Sequence, residues 1–481
     1  MTDNGVIGQL IRTKESNRSS FIIGNPQISY FVSSNKRHTN FAMNTRKLTF
    51  QKNPYISKDE NKFRCYIDKT GANILNDVYF RFNLPDIYSN DKHKFRWIPH
   101  FGSLFIKKAE FIINNVVIDT ITGEWLVISN ELTENVKDNY NNLTGNLAGL
   151  FNPKMDIPVI TINNNRYANA YPIGNKSTKT PSIRGREIIV PLSFNFTKNP
   201  ALGILLSKIN LNLETTQVYV EITLENIENL YQVYSSDLNL YISSAFYNEL
   251  YPNDLISFDT FVLTKEMNAY IEVNFSYLDE TELQEFQINP QIDIIVEKTI
   301  ISSEYSINPG VDLVNKITLM RANTHVKEII WTLKRDDYNR FNNQVNYTNS
   351  IIENNNKPIM SKAKIMFNDT ITRVDENDGN FFNIIQPFKH HTSVPKQGIY
   401  SYSYALLPEK YQLSGSVDCG NIETSLYIYT NNQDNTELNE KLKKLGGRVS
   451  PYNYKYLLNY YVRTVNVLRY INGTVAYLFA E

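Results

Sequence analysis

Six histidines, two cysteines and one pair of nearby carboxylates are the side chains of this 481-residue sequence best suited to chemistry. The adjacent His390 and His391 would suit a metal if both faced one ion. On a strand, however, neighbouring side chains point to opposite faces, which is poor geometry for a shared ligand. His38, His93, His100 and His325 are scattered elsewhere in the chain. Asp119 and Glu124 could pose as the two carboxylates of a glycosidase. Acidic residues between strands more commonly cap turns or face water, and that is the reading adopted for them. Cys65 and Cys419 are too few for a disulfide framework, and no Cys-x-x-Cys or Cys/His cluster offers a zinc site. They read as reduced core thiols of a protein made in the cytosol. No G-x-S-x-G, phosphate-binding loop, H-E-x-x-H or dinucleotide fingerprint occurs. The expectation is a non-enzyme with no catalytic residue, no cofactor and no metal.

Charge and composition narrow the partners. Lys+Arg and Asp+Glu stand at 49 each, so the formal charge is zero. A chain whose task is to coat nucleic acid needs a basic excess to neutralise phosphates, so direct nucleic-acid binding is not expected. The segment Lys441–Lys444 reads as the solvated face of a helix rather than a binding patch. Asn17, Asn142, Asn175, Asn195, Asn274, Asn346, Asn368 and Asn472 each open an N-x-[ST] triplet. In so Asn-rich a sequence such triplets arise by chance and carry no information. The opening MTDNGVIGQLIRTKESNRSS has no apolar core of signal-peptide length. The longest apolar stretches, such as Ile188–Leu192, fall far short of the roughly 20 residues that cross a bilayer.

The elements that position these residues are mostly strands. Val218–Glu225 reads VYVEITLE, with Val218, Val220, Ile222 and Leu224 on one face and Tyr219, Glu221 and Thr223 on the other. That period of two predicts a half-buried strand. The 32 Tyr and 25 Phe suit pleated, half-buried surfaces. Asn114-Asn115 and Asn472-Gly473 each separate two strand-like runs and predict two-residue hairpin turns. Asn308-Pro309-Gly310 and Asp378-Gly379 mark further turns. Helices are few: Asp279–Glu282 resembles a capping box ahead of Leu283 and Phe286, and others are predicted over Gly123–Val136 and Thr436–Leu445. Asn-rich stretches at Ile162–Ala170, Asn342–Lys357 and Tyr429–Glu440 read as exposed loops. No repeat of the solenoid or propeller kind is visible. Many short strands with rare helices predict an all-β sandwich, jelly roll or barrel. At this length two large β domains fit.

Several segments, in order, resemble the major capsid protein of the nucleocytoplasmic large DNA viruses. They are GNPQISYF (Gly24–Phe31), KRHTNFAM (Lys36–Met43), GSLFIKKAEFIINNVVIDTITGEWLVISNEL (Gly102–Leu132) and IIVPLSFNFTKNPALGILL (Ile188–Leu206). In the second half come VNFSYLDETELQEF (Val273–Phe286), THVKEIIWTL (Thr324–Leu333) and GNFFNIIQPFKHHTSVP (Gly379–Pro395). GIYSYSYALLPEKYQLSGSVD (Gly398–Asp418) and VNVLRYINGTVAYLF (Val465–Phe479) complete the series. Gly415–Glu423 departs from the family by lacking the usual Asn-Phe-Ser-Arg run, and Lys14–Ser20 lacks the usual Gly-Ala-Gln-Asp stretch.

The resemblance implies a tandem double jelly roll: two eight-stranded antiparallel β-sandwiches with short inserted helices. The expected limits are an N-terminal arm over 1–23, a first jelly roll over 24–232 and a second over 233–481. It further implies a structural subunit of an icosahedral capsid, assembling as a pseudo-hexameric homotrimer that tiles the shell facets. The implied partners are neighbouring capsomers, minor capsid or cement and penton proteins, and the vicinity of an internal viral membrane. Its implied location is the virion, after synthesis and assembly in the host cytoplasm. A minor or vertex paralog and a transient assembly scaffold share the same fold and stand as alternatives.

Overall fold

The computed structural model describes residues 38–67, 71–87, 93–133, 137–147, 183–209, 217–256, 267–319, 324–351, 357–434 and 454–479, less single residues 94, 312 and 397. Residues 25, 160–162, 165–167 and 440 are described as well. The chain divides into two compact units, Met1–Phe41 and Ala42–Glu481. In the first, the His38 ring meets Phe41 edge-on at 6.1 Å. Most of Gly24–Phe31 and all of Thr436–Leu445 except Glu440 lie outside the described residues.

The strands begin with β1 (Phe41–Thr49), β2 (Asn61–Tyr66), β3 (Ile74–Asn83), β4 (Phe95–Trp97), β5 (Ile106–Ile113) and β6 (Val116–Ile121). A short hairpin, β7 (Ile160–Ile162) and β8 (Asn165–Tyr167), precedes β9 (Glu187–Pro191) and β10 (Ile204–Leu205). Then come β11 (Val218–Leu224), β12 (Tyr231–Ser235), β13 (Leu240–Ile242) and β14 (Tyr270–Leu278). In the first sandwich one sheet runs β1-β14-β3, with β9 and β10 sharing the free edge of β3, and the other runs β2-β11-β5-β6.

The rest of the chain supplies β15 (Gln291–Ile301), β16 (Tyr305–Ile307), β17 (Val314–Thr318), β18 (His325–Arg335), β19 (Met360–Phe367) and β20 (Ile371–Asp378). It ends with β21 (Ile399–Ser403), β22 (Val417–Asp418), β23 (Thr424–Thr430), β24 (Tyr456–Ile471) and β25 (Thr474–Tyr477). One sheet is β15-β24-β18-β21, with β16 and β22 continuing the lines of β15 and β21. The facing sheet is β17-β23-β19-β20. Counted along the chain as eight positions, both sandwiches have the order 1-8-3-6 in one sheet and 2-7-4-5 in the other. The fold is a tandem double jelly roll.

This order moves the boundaries expected from the sequence. The eighth strand of the first sandwich is β14, which pairs antiparallel with β3 from Tyr270↔Arg81 to Ser276↔Ile74. The division therefore falls after Leu278 and not at 232/233. The expected start of the first jelly roll at residue 24 lies outside the described residues.

Turn chemistry was legible where asparagine and glycine accept a left-handed backbone. Asn114 and Asn115 have φ of 51° and 63° between β5 and β6, and Asn472 and Gly473 have 50° and 77° between β24 and β25. Mirror-image turns of this kind match the twist of the paired strands. The Asp378-Gly379 turn instead starts a helix. The Phe381 N–H donates to Asp378 Oδ1 at 3.0 Å, and a wide π-type turn over Phe381–Ile385 leads into the helix Gln386–His390. Pro387 has no N–H to return to the carbonyl four residues back and its ring crowds that carbonyl, so the preceding turn opens. His390 and His391 thus close a helix, and the strand geometry expected for them does not occur.

Three other expectations change. β11 is buried on both faces: Val218, Val220, Ile222 and Leu224 enter the core, while the outer face is closed over by neighbours. There Glu221 holds Arg64 at 2.6 Å and Lys62 at 3.4 Å, and Tyr219 lies against Tyr66 at 5.2 Å. The stretch from Asn342 is also buried through Ile351 apart from Gln344, Val345 and Asn346, which are half-buried. Asparagine amides serve as backbone substitutes there, Asn342 Nδ2 donating to the Glu228 and Tyr231 carbonyls at 2.6 and 2.7 Å. A buried polar loop of this kind is stable because its amides are hydrogen-bonded. The helix Glu280–Ile288 forms, but the Asp279 carboxylate takes the Thr281 hydroxyl at 3.2 Å and makes no capping bond to the backbone. The helix Gly123–Leu132 is properly capped, with Thr122 Oγ1 accepting the Trp125 N–H at 3.2 Å. Its first residue must be glycine, because a Cβ on Gly123 would stand 2.2 Å from the Ser103 carbonyl oxygen.

Candidate assembly surface and the junction between the sandwiches

Two cores fill the molecule. One lies within the second sandwich, where Trp331, Phe382, Tyr400, Tyr456 and Tyr460 pack together. The larger fills the first sandwich and continues onto the other face of the β15-β24-β18 sheet through Val296, Ile330, Tyr461, Leu468 and Tyr470. That sheet is therefore covered on both sides, and every residue of β18 after His325 is buried.

Burial on both faces forces charged side chains in these strands to find partners. Arg463 of β24 donates to Glu297 Oε2 on β15 at 2.8 Å, to Glu328 Oε1 on β18 at 3.3 Å and to the Pro408 carbonyl at 2.9 Å. Lys327 is fully buried, bonded to Glu297 and to the Pro408 carbonyl. Lys198, from the first sandwich, reaches Glu297 at 3.0 Å. The buried His391 ring sits between Glu328 at 3.4 Å and Glu409 at 3.0 Å. Burial pushes the Glu297 carboxyl up, but Lys198, Arg463 and Lys327 outweigh it and hold it well below the usual carboxylate range. Glu328 behaves alike: burial opposes its charge, and Arg463 and His391 hold it down at about 2.

His391 titrates the other way. Burial lowers its pKa, yet the flanking Glu328 and Glu409 raise it to about 9. A histidine raised above its unfolded value of about 6.5 adds stability that is complete below that value and is lost as pH climbs through the folded value. Glu328, depressed from an ordinary 4.5, adds stability above that value that is lost as pH falls toward 2. Between about pH 6.5 and 9 the loss of the His391 contribution is thus expected to lower the melting temperature. In His391→Gln the alkaline decline should flatten. A melting series across pH on both proteins checks this, and an unchanged slope would remove His391 from the account.

The carboxylates weighed as a catalytic pair are engaged apart. Asp119 accepts the Asn195 N–H at 2.7 Å and the Thr120 N–H at 2.9 Å, and burial pushes it up to about 6. Glu124 instead accepts the Tyr347 hydroxyl at 3.1 Å and the Asn459 amide at 3.0 Å, tying the first sandwich to the second. Trp125 beside it stacks on Tyr461 at 4.8 Å. Among the described residues no three His, Cys, Asp or Glu side chains are placed to hold a metal ion, and no helix is long and apolar enough to cross a membrane. Cys65 and Cys419 are buried and form no disulfide.

One surface is unusually apolar. The Phe381–His390 helical segment exposes Ile384, Ile385 and Phe388, the last 79% exposed. The loop after β21 exposes Leu406, Leu407 and Leu413, with Leu406 at 68%. The segments are joined: His390 Nδ1 meets the Leu406 carbonyl at 3.1 Å, and Glu409 accepts the Thr392 hydroxyl at 2.8 Å. Together they form an apolar shelf.

The whole chain can now be placed among known proteins. A family model described as the major capsid protein N-terminus matches residues 29–279, and that of the large eukaryotic DNA virus major capsid protein matches residues 272–476. The chain belongs to the major capsid protein family of large eukaryotic DNA viruses. The meeting of the two matches at 272–279 coincides with β14, the closing strand of the first jelly roll. This capsid chain is 25% identical to probable capsid protein 4 of Acanthamoeba polyphaga mimivirus, over 84% of this chain and 88% of that one. It is 23% identical to the major capsid protein of Phaeocystis pouchetii virus, over 84% and 89%. In structure it matches the Faustovirus major capsid protein with a TM-score of 0.64 and 12% identity, covering 95% of this chain and 96% of that one. At that identity the structural likeness establishes the fold.

Proposed function

We propose that the chain is a shell subunit of an icosahedral virion and assembles as a pseudo-hexameric homotrimer. The observation that carries this reading is the repetition of one strand order in both sandwiches. Two lobes of like construction per chain give six around a threefold axis, so one gene product presents a near-hexagonal outline. A closed cyclic trimer requires a heterologous interface, with each chain offering two different patches. Zero formal charge favours dense lateral packing, since a large like-signed charge on every copy would oppose it. The role is structural and not enzymatic, without cofactor or direct nucleic-acid contact. Neighbouring capsomers, minor capsid or cement proteins and penton proteins are its partners, near an internal membrane, with assembly in the host cytoplasm.

Contacts between copies are the natural cover for the apolar shelf, because stable interfaces have desolvated apolar centres. Phe388→Asp is expected to leave the isolated chain's melting temperature almost unchanged, as exposed substitutions usually act within about 0.5 kcal/mol. The same change should weaken assembly strongly, read as loss of oligomer by light scattering. Retention of the oligomer would take the shelf out of the interface. The functional reading is tested by quantitative mass spectrometry of purified mature particles. An abundant shell component is expected; abundance in assembling particles but absence from mature ones would replace the shell subunit by a transient scaffold.

A further inference from the structure

A cavity of about 440 Å³ lies between the helix Gly123–Leu132 of the first sandwich and the β18–β24 face of the second. That volume falls in the range of about 300–1,000 Å³ typical of small-molecule sites. Its lining is mixed in chemistry. Trp125, Leu126 and Leu132 of the helix and Ile330 of β18 are apolar, while Lys198, His391, Glu409 and Arg463 are charged.

The charges do not cancel. With His391 protonated, Lys198, Lys327, Lys410, His391 and Arg463 supply five cationic groups at or behind the lining, the exposed Lys410 among them. Glu297, Glu328 and Glu409 supply three carboxylates, so two positive charges remain. Hydrogen bonding is also incomplete. Arg463 Nε belongs to a residue lining the cavity and is buried without a hydrogen-bond partner. A buried donor left unmade costs its full desolvation penalty, so a site of this kind gains when an acceptor arrives.

We propose that this cavity binds a small amphipathic anion, a carboxylate with an aliphatic tail. Its head group accepts hydrogen bonds from Arg463 and Lys198, and its tail lies along Trp125, Leu126 and Ile330. Touching both sandwiches, the bound anion holds them in their packed arrangement.

Decanoate is the probe, with decanol and decyltrimethylammonium as neutral and cationic controls of equal tail length, each below its micelle concentration. The full chain is titrated while tryptophan fluorescence and melting temperature are followed, because Trp125 is one of three tryptophans and lines the site. Decanoate alone should give a saturable fluorescence change and a raised melting temperature. Ser129→Phe, at a half-buried lining position, should fill the cavity and abolish both responses while its own melting curve overlays the parent's. Lys198→Met, which leaves the cavity open, should weaken decanoate by about tenfold, the loss of one charge-assisted hydrogen bond. Three results would each overturn the proposal: no saturable response to decanoate, an equal response to all three amphiphiles, or parent-like affinity in folded Ser129→Phe.

Discussion

Arg463→Ala is expected to destabilise the chain by about 3–5 kcal/mol, the usual cost of removing one partner from a buried ion cluster. The loss comes less from the missing attraction than from what is left behind. Glu297 and Glu328 are both buried, and Arg463 is the cation that touches them both. Without it two carboxylates face each other across β24 with Lys327, Lys198 and His391 as incomplete compensation. The diagnostic experiment is a mutant cycle read by chemical denaturation. Adding Glu328→Gln to Arg463→Ala should recover part of the lost stability, because a neutral amide tolerates burial better than an unpaired charge and His391 keeps Glu409 as its partner. If the double variant is no more stable than Arg463→Ala alone, the electrostatic explanation fails and lost packing of the arginine stem takes its place.

Trp125→Ala is expected to cost a similar amount, about 3–5 kcal/mol, through a different mechanism. Trp125 is 7% exposed, lies in the capped helix Gly123–Leu132 and stacks on Tyr461 with the rings inclined by 26°. Truncation leaves a hole beside a strand that is already buried on both faces, so little can collapse into it. Trp125→Phe should cost much less, since it keeps an aromatic face against Tyr461. Denaturation should also become less cooperative in Trp125→Ala, because the side chain lies between the two sandwiches. A single sharp transition at parental stability would show that the stack does not hold the junction.

The all-β class, both Asn-based hairpins and the Gly123 helix could be read from residue types, because each rests on local chemistry. The period of two in Val218–Leu224 and the positive φ tolerated by Asn114, Asn115 and Gly473 need no distant partner. What escaped was whatever depends on the other half of the chain. β14 looks like any strand, and only its pairing with β3, some two hundred residues earlier, makes it the last strand of the first sandwich. The repeated strand order left no repeat in sequence, since jelly-roll topology constrains faces and turns but not residue identities.

The junction was missed for a related reason. Its charged residues lie one or two at a time inside apolar runs: Glu297 in DIIVEKTII, Lys327 and Glu328 in VKEIIWTLKR, Arg463 in YYVRTVNVLRY. Each alone reads as the outer face of a half-buried strand. A signal was present, because charges of both signs interrupt three of the most apolar strands of the second half. A sheet covered on both sides is the arrangement that lets those strands keep them. His391 carried no such signal, since its neighbours in space come from β18 and from the loop after β21. The exposed Phe388 and Leu406 were equally hidden, as nothing local distinguishes an apolar residue on a surface shelf from one in a core.

The central claim is that this capsid chain forms a closed threefold capsomer. Light scattering coupled to size exclusion, on the purified full chain, tests it directly. One stable species of about 167 kDa, three times the chain mass of 55.8 kDa, is the expected result. A pentamer would indicate a vertex role, and a monomer that persists as concentration is raised would contradict the trimer outright.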